Sequence, residues 1–276
     1  MDVNLVEKGS AAVQPAKKAK RQWATPRFRW GVGSALVFLM VWELAGTFQL
    51  IDPRYASKPS SIVVAGYTLF TQDRLLYHIY ISMTEMVAGF ALAVVAGLIL
   101  GVIMGRSRII GGLFDPLVMA LYATPRVAMI PLFVIWFGVG MGSKIFVVFI
   151  GAVFPILINT MTGIRQIDPL WVRAGRSYGA TEWQLFYKVL LPGALPAMMT
   201  GIRLGWGRGI LGVIIGEMYV SMAGLGYMIT TAGNAIRTDE LFFLVLVVAL
   251  IGYLATNGFR MLERKLTPYM EEEIRE

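Results

Sequence analysis

The sequence predicts an all-α fold of the membrane-embedded kind, a polytopic bundle of six crossing helices, and three observations lead there. Of its 276 residues 57% are hydrophobic and only 15% charged, where a soluble domain carries about a quarter charged residues. The apolar residues gather into runs near the ~20-residue length that crosses a bilayer. Basic residues fall mainly between the runs, and unevenly on the two sides.

Taken in order, residues 1–29 form a basic, polar tail. Its stretch VEKGSAAVQPAKKAKRQ is poor in hydrophobes and is expected to be disordered, with its lysines near anionic lipid. The apolar run Gly31 to Phe48 follows as a first span; preceded by so long a polar tail, it reads as a signal anchor rather than a cleavable leader. Residues 30–80 comprise this span and an extracytoplasmic segment. A core of five further spans occupies 81–260. Four are continuous: Met86 to Met104, Ile145 to Ile164, Leu204 to Val220 and Leu241 to Phe259. The fifth, Ile109 to Phe137, is divided by Thr124-Pro125-Arg126 into halves each too short to span, and reads as one broken crossing. Residues 261–276 form a tail.

Lysine and arginine concentrate on the cytoplasmic side of membrane proteins. The first tail holds Lys8, Lys17, Lys18, Lys20, Arg21, Arg27 and Arg29, whereas the segment after the first span holds Arg54, Lys58 and Arg74. The N-terminus is therefore expected inside. Six spans then place Arg106, Arg108, the stretch 165–192 and the C-terminal tail inside as well. This accounts for much of the net charge of +8 without invoking nucleic acid.

The polar island between the fourth and fifth spans, RAGRSYGATEWQLFYKVLLP from Arg173, has the local chemistry of two short helices. Asp168 caps the first, with Pro169 at its first position and Gly179 at a left-handed exit. Thr181 and Gln184 have capping-box spacing for the second, which Pro192-Gly193 is expected to end. Leu170, Ala174 and Tyr178 share one stripe of the first helix, as in a helix that docks in a partner's groove.

Small residues recur every fourth position in two spans: Gly89, Ala93, Gly97, Gly101 and Gly105 in the second, and Gly201, Gly205 and Gly209 in the fifth, followed by Gly212 and Gly216. Such ladders permit close helix crossings, either within a subunit or across a dimer. Charges inside spans face a partner or a cavity. From Arg203, expected to snorkel to the interface, Arg208 lies about 7 Å and Glu217 about 21 Å further along the helix. The two point in opposite directions. Arg208 either faces a translocation path or makes a buried ion pair, Arg126 beside Pro125 is a second candidate for a cavity lining, and Glu217 is expected to hold the outer end of the fifth helix. Glu43, Glu85 and His78 are expected at interfaces.

Several classes are excluded. A phosphate-cradling loop needs Gly-Lys after a glycine-rich turn, and no Gly-Lys pair occurs; Gly138 to Lys144 lacks the order. With one histidine and no cysteine, neither a His-based metal cluster nor a thiol nucleophile is available.

The spacing Ala174, Gly179, Val189 and Leu191-Pro192 resembles the EAA loop of binding-protein-dependent ABC importer permeases. The resemblance extends to PRVAMIPLFVIWFGVG from Pro125, FPILINTMTGIRQIDP from Phe154, LPGALPAMMTGIRLGWG from Leu191 and GEMYVSMAGLGYMI from Gly216. These motifs agree in order and spacing from about Ser82 to the C-terminus, and look like the nitrate/sulfonate/taurine branch. One departure is the loop's leading Glu, which is Arg173 here. The resemblance implies the type I importer fold in a bacterial inner membrane, and a loop, 165–192, that couples to a separate ATPase through Arg173, Ala174, Gly175, Gly179, Val189, Leu191 and Pro192. It also implies ATP and magnesium on that partner and no cofactor on this chain, a permease homodimer in lipid, and an extracytoplasmic solute-binding protein facing the loop Ser221 to Glu240. An ion-coupled secondary carrier and a non-transporting scaffold or receptor subunit are the alternatives; the first usually shows internal repeats in two halves, which this chain lacks.

Overall fold

The computed structural model describes residues 26–267, and their side chains from Trp30 onward. The expected disorder of the first tail lies outside the described residues except at its end, where a helix already begins at Pro26. Every regular element among the described residues is helical.

The architecture is one central helix with two others pressed along it. That central helix is α6 (Met141–Arg165), flanked by α3 (Leu75–Arg106) and α9 (Leu191–Val220). The small-residue ladders explain why these three approach so closely, and settle where the ladders point: both face α6 within one subunit. A Cβ on Gly97 would come 2.8 Å from Ile156, and one on Gly101 would lie 2.8 Å from the Leu157 carbonyl oxygen. From the other side, a Cβ on Gly205 would stand 3.0 Å from the Ala152 carbonyl oxygen. Without side chains at these rungs, backbone meets side chain directly, the contact that holds helices together where lipid removes the hydrophobic drive. The main core follows the seam, with Met86, Ala93, Val148, Ala152, Ile156 and Val213 in it.

Around this trio the other elements are arranged as partial cover. Helix α1 (Pro26–Thr47) reaches α2 (Pro59–Thr71) through Glu43, which accepts from the Ser60 backbone N–H at 2.9 Å and hydroxyl at 2.7 Å. Glu43 thus ties two helices instead of standing free at the interface. Helix α4 (Arg108–Ala123) starts on Ser107, whose hydroxyl accepts from the Ile110 N–H at 3.2 Å, and is pinned to α6 by the Asp115–Arg165 ion pair. A 3₁₀ turn (Arg126–Met129) and α5 (Ile130–Phe137) complete the divided third crossing. The two limbs meet at 86°, much sharper than an ordinary proline kink, so among the described residues five helices are long and apolar enough to span, and a sixth crossing exists only as this bent pair.

Two departures from the sequence reading concern loops. The platform is α7 (Pro169–Ser177), then α8 (Glu182–Leu185), but Pro192-Gly193 does not end the second helix. A π turn over Phe186–Leu190 carries α8 straight into α9, with the Leu191 N–H donating to the Phe186 carbonyl. The wide turn removes the usual crowding of a proline ring against the carbonyl four residues earlier, and the helix runs unbroken from Glu182 to Val220. The stretch Ser221 to Glu240 is not a plain loop either: α10 (Leu225–Asn234) folds back against α3, α9 and α11 (Thr238–Leu266), burying Leu225, Met228 and Ala232 with Leu69, Leu75 and Leu244. Helix α11 also runs past 260 to Leu266, into the stretch expected as tail.

Gly101→Leu is expected to destabilise the subunit by about 1–3 kcal/mol or more, the usual cost of overpacking, seen as a lower unfolding temperature in detergent. Gly207→Ala, on the open side of α9 where a Cβ meets nothing within 4 Å, should leave that temperature unchanged.

Candidate functional site

Two places carry polar chemistry exposed for use: the platform between α6 and α9, and a cleft lined by arginines. The platform is built from its caps upward. Asp168 accepts from the Leu170 N–H at 2.8 Å and opens α7. At the far end Gly179 adopts φ +77°, its N–H donating to Arg176 O at 2.9 Å while Ala180 N–H donates to Gly175 O at 3.0 Å. This left-handed exit favours glycine. The capping box then closes: Thr181 N–H donates to Gln184 Oε1 at 2.8 Å, and Gln184 N–H to Thr181 Oγ1 at 3.3 Å.

Gly175 and Leu185 join the two short helices. Leu185 is buried, and a Cβ on Gly175 would lie 2.5 Å from its methyl group. Gly175 is therefore a packing position inside the platform. Glu182 adds a polar tie: Oε1 accepts from Arg176 of α7 at 3.0 Å, and Oε2 pairs with Arg106 at the end of α3 at 3.4 Å. Outward the platform presents aromatic rings, with Trp171 and Trp183 each 68% and Tyr178 92% exposed, next to exposed Leu170, Arg173 and Ala174. Val189, in the π turn, and Leu191 and Pro192, at the head of α9, are half-buried. The loop's sequence positions thus divide into an exposed face and a helical root.

The cleft lies where α6 and α9 diverge from the bend of the third crossing. It encloses about 270 Å³ and is lined by Tyr122, Thr124, Arg126, Gly151, Arg208 and Ile215 among others, with no acidic residue in its wall. Arg126 is fixed there by a vacancy in the α6 ladder. Pro155 has no N–H for the Gly151 carbonyl, and Arg126 Nη1 donates to that oxygen at 3.1 Å. Its guanidinium also lies over Tyr122 and Phe154, 5.3 and 5.8 Å from the ring centroids. Arg208 is exposed on α9 and, among the described residues, makes no ion pair. The two arginines expected from sequence therefore share one cleft.

Comparison with known families adds the identity. The model of the binding-protein-dependent transport system inner membrane component matches residues 93–268. This chain belongs to that family. The permease is 33% identical over 93% of its length to the taurine transport system permease protein TauC of Escherichia coli K12, covering 96% of it. It is 38% identical over 87% of its length to the putative aliphatic sulfonates transport permease protein SsuC of the same organism, covering 94% of that chain. Among solved structures, an inward-facing MetNI methionine ABC transporter aligns with TM-score 0.62 at 20% identity, over 70% of this chain and 96% of that one. The architecture is thus that of type I ABC importer permeases, and the protein is a multi-pass inner-membrane component.

Three of the remaining ionisable positions of the permease, Glu85, His78 and Arg203, depart from expectation. Glu85 is not interfacial: it is 1% exposed and ion-paired with Lys144 of α6. His78 is half-buried, and its Nδ1 accepts from the Gly224 N–H at 3.0 Å. Arg203 does not snorkel free but pairs with Glu263 of α11 at 2.6 Å. Glu217, fully buried at the end of α9, bonds both α3 and α10. Lys144 escaped notice because it flanks a nucleotide-motif lookalike, although a lone lysine at the head of an apolar run already called for a carboxylate partner.

Leu185→Ala should loosen the platform by about 2 kcal/mol, the low end for deleting a buried leucine. Hydrogen exchange would then quicken across residues 169–190 while the spans keep their protection; unchanged exchange there would show that Leu185 does not hold the platform.

Proposed function

We propose that this permease is one of two identical membrane subunits of an ATP-driven importer for a small anion, a sulfonate, taurine or nitrate, and that residues 165–192 dock a separate cytoplasmic ATPase. The observation that carries the anion reading is the cleft: two guanidiniums, one anchored and one without an ion partner, in a wall without carboxylates. A cation would be repelled there, whereas an anion would replace the water of Arg208 with a charge-assisted contact. The taurine and sulfonate relatives agree with this chemistry. The sequence bias of lysine and arginine supports both termini and the platform on the cytoplasmic face, which leaves α10 on the side where a solute-binding protein delivers its cargo.

The coupling reading is supported by the exposed aromatic face of α7 and α8. Trp171, Tyr178 and Trp183 offer large apolar area to a groove, and the continuous helix from Glu182 to Val220 would carry a push on that face into the span that bears Arg208. Closure of an ATPase pair on bound ATP and magnesium would draw two platforms together and rock the bundles from inward-facing to outward-facing, a rigid-body switch. Arg173 stands exposed where other loops of this kind lead with Glu, so a role resting on that carboxylate does not carry over to this chain.

Ala174→Asp should leave the subunit inserted but weaken co-purification with the ATPase at least about tenfold, equivalent to ~1.4 kcal/mol of docking free energy; undiminished binding would remove the docking role. Arg208→Ala should lower anion uptake on the order of tenfold with normal insertion and ATPase binding, and Arg208→Lys should restore part of it. Equal uptake by all three would take Arg208 out of the path.

A further inference from the structure

Three consecutive buried amides open α10, and each meets an acceptor on another helix. Leu225 N–H donates to Ser82 Oγ of α3 at 2.8 Å, and Gly226 N–H to Glu217 Oε2 of α9 at 2.6 Å. The first of the three, Gly224 N–H, donates to Nδ1 of His78 at 3.0 Å, one turn before Ser82 on α3. A buried amide requires such a partner.

This contact fixes the protonation state of the ring. An amide N–H only donates, so Nδ1 must be the bare nitrogen and the single ring proton must sit on Nε2. A second proton, on Nδ1, would set two donors against each other. It would also place a full positive charge at the head of a ten-residue helix, where the aligned peptide dipoles already present partial positive charge. Both effects oppose the contact.

Water can reach the ring, and a charged ring has an anion to turn to. His78 is half-buried and lines a pocket of about 160 Å³ whose wall also holds Asp73, Tyr227, Arg237 and Glu240. Asp73 is exposed and close enough for its charge to act on the imidazole. Glu240 is engaged by Arg237 at 2.8 Å, and the rings of Tyr77 and Tyr227 lie 5.5 and 6.1 Å from the imidazole between centroids. On the α9 side, Glu217 is occupied by Ser82 and Gly226.

We propose that His78 is an acid-released latch: the neutral ring holds the start of α10 on α3, and the protonated ring lets go of Gly224 and turns toward Asp73. The contact is thus present above the pH at which the ring titrates and lost below it. Ser82 and Glu217 keep the next two amides, so the turn that joins α9 to α10 loosens before the helix does. The latch makes the seating of α10 over the end of α9 depend on pH, and it stands independently of the cargo and coupling readings.

His78 is the single histidine of the chain, so one ring carries the whole signal. Full-length permease labelled with ¹⁵N-histidine, purified on a histidine-free tag and placed in lipid nanodiscs, should show a bare Nδ1 and a protonated Nε2 at about pH 8. As the pH falls from about 8 to 5, the interval in which histidine titrates, the ring should gain its second proton. Over the same interval amide hydrogen exchange in residues 221–226, corrected for the intrinsic rate, should quicken at least about tenfold. His78→Asn puts a non-titrating acceptor oxygen close to the place of Nδ1 and should keep exchange slow throughout. His78→Ala removes the acceptor and should exchange fast at every pH, while α6 keeps its protection and so reports a folded bundle. A proton on Nδ1 at about pH 8, a ring that titrates with no change in exchange, a pH response that persists in His78→Asn, or slow exchange in His78→Ala would each overturn the latch.

Discussion

The close approach of α6 to α3 and α9 is the constraint from which the rest of this permease follows. In lipid, apolar side chains gain nothing by leaving one hydrocarbon environment for another, so helices associate through surface fit and polar contacts. The rungs Gly97, Gly101, Gly201 and Gly205 supply the fit, letting Ile156 and Thr160 and the α6 carbonyls lie against bare backbone. The buried polar contacts at the end of α9 are placed by that fit. Lys144 reaches Glu85 because α6 lies against α3 at Gly89, and Glu217 reaches Ser82 because α9 lies on the other flank.

The same geometry separates two uses of buried charge. At the end of α9 the charged groups are enclosed and hydrogen-bonded across helices, and they lock those helices together. At the bend of the third crossing they are unmatched: Arg126 is held by a carbonyl that Pro155 leaves without its usual donor, and Arg208 stands opposite with no counter-charge. Enclosed groups add rigidity, while on the proposed reading the open, unmatched pair would present a potential that a passing anion could sense. Arg208 and Glu217 stand nine positions apart on α9, so one helix carries both kinds of group on opposite faces.

Much of this was legible in the sequence, for identifiable reasons. Helix ladders are periodic, so the four-residue recurrence of glycine disclosed the packing seams; caps are local, so Asp168, Gly179 and the Thr181–Gln184 box were visible together with the platform they build. The pairing of Arg126 and Arg208 in one cleft was foreshadowed only as two separate candidates. What escaped was non-local or compositionally silent. Glu85 and Lys144 sit on different spans, and nothing in either neighbourhood names the other. The fold-back of α10 hides in a stretch whose Ser221, Gly224 and Gly226 look like a turn, because its apolar anchors Leu225 and Met228 are too few to register as a span. The continuity of α8 with α9 was missed because Pro192-Gly193 ordinarily stops a helix, and a π turn has no signature residue type.

That continuity has a mechanical consequence for the coupling reading. A helix of 39 residues is about 58 Å long at 1.5 Å per residue, well beyond the ~30 Å hydrocarbon core, so the platform is the protruding end of the same rod that bears Arg208. The other attachments are weaker: α7 joins α6 through a short linker, and Glu182 reaches Arg106 of α3 only by an exposed ion pair, a contact worth at most about 1 kcal/mol. A displacement of the platform is therefore taken up first by α9. The π turn at Phe186–Leu190 is an irregular place near the base of the rod where a push could be absorbed as bending. Its half-buried Val189 and Leu190 would resist that bending by packing, so on the coupling reading the root of the loop, rather than its exposed face, would set how much of a push arrives at the cleft.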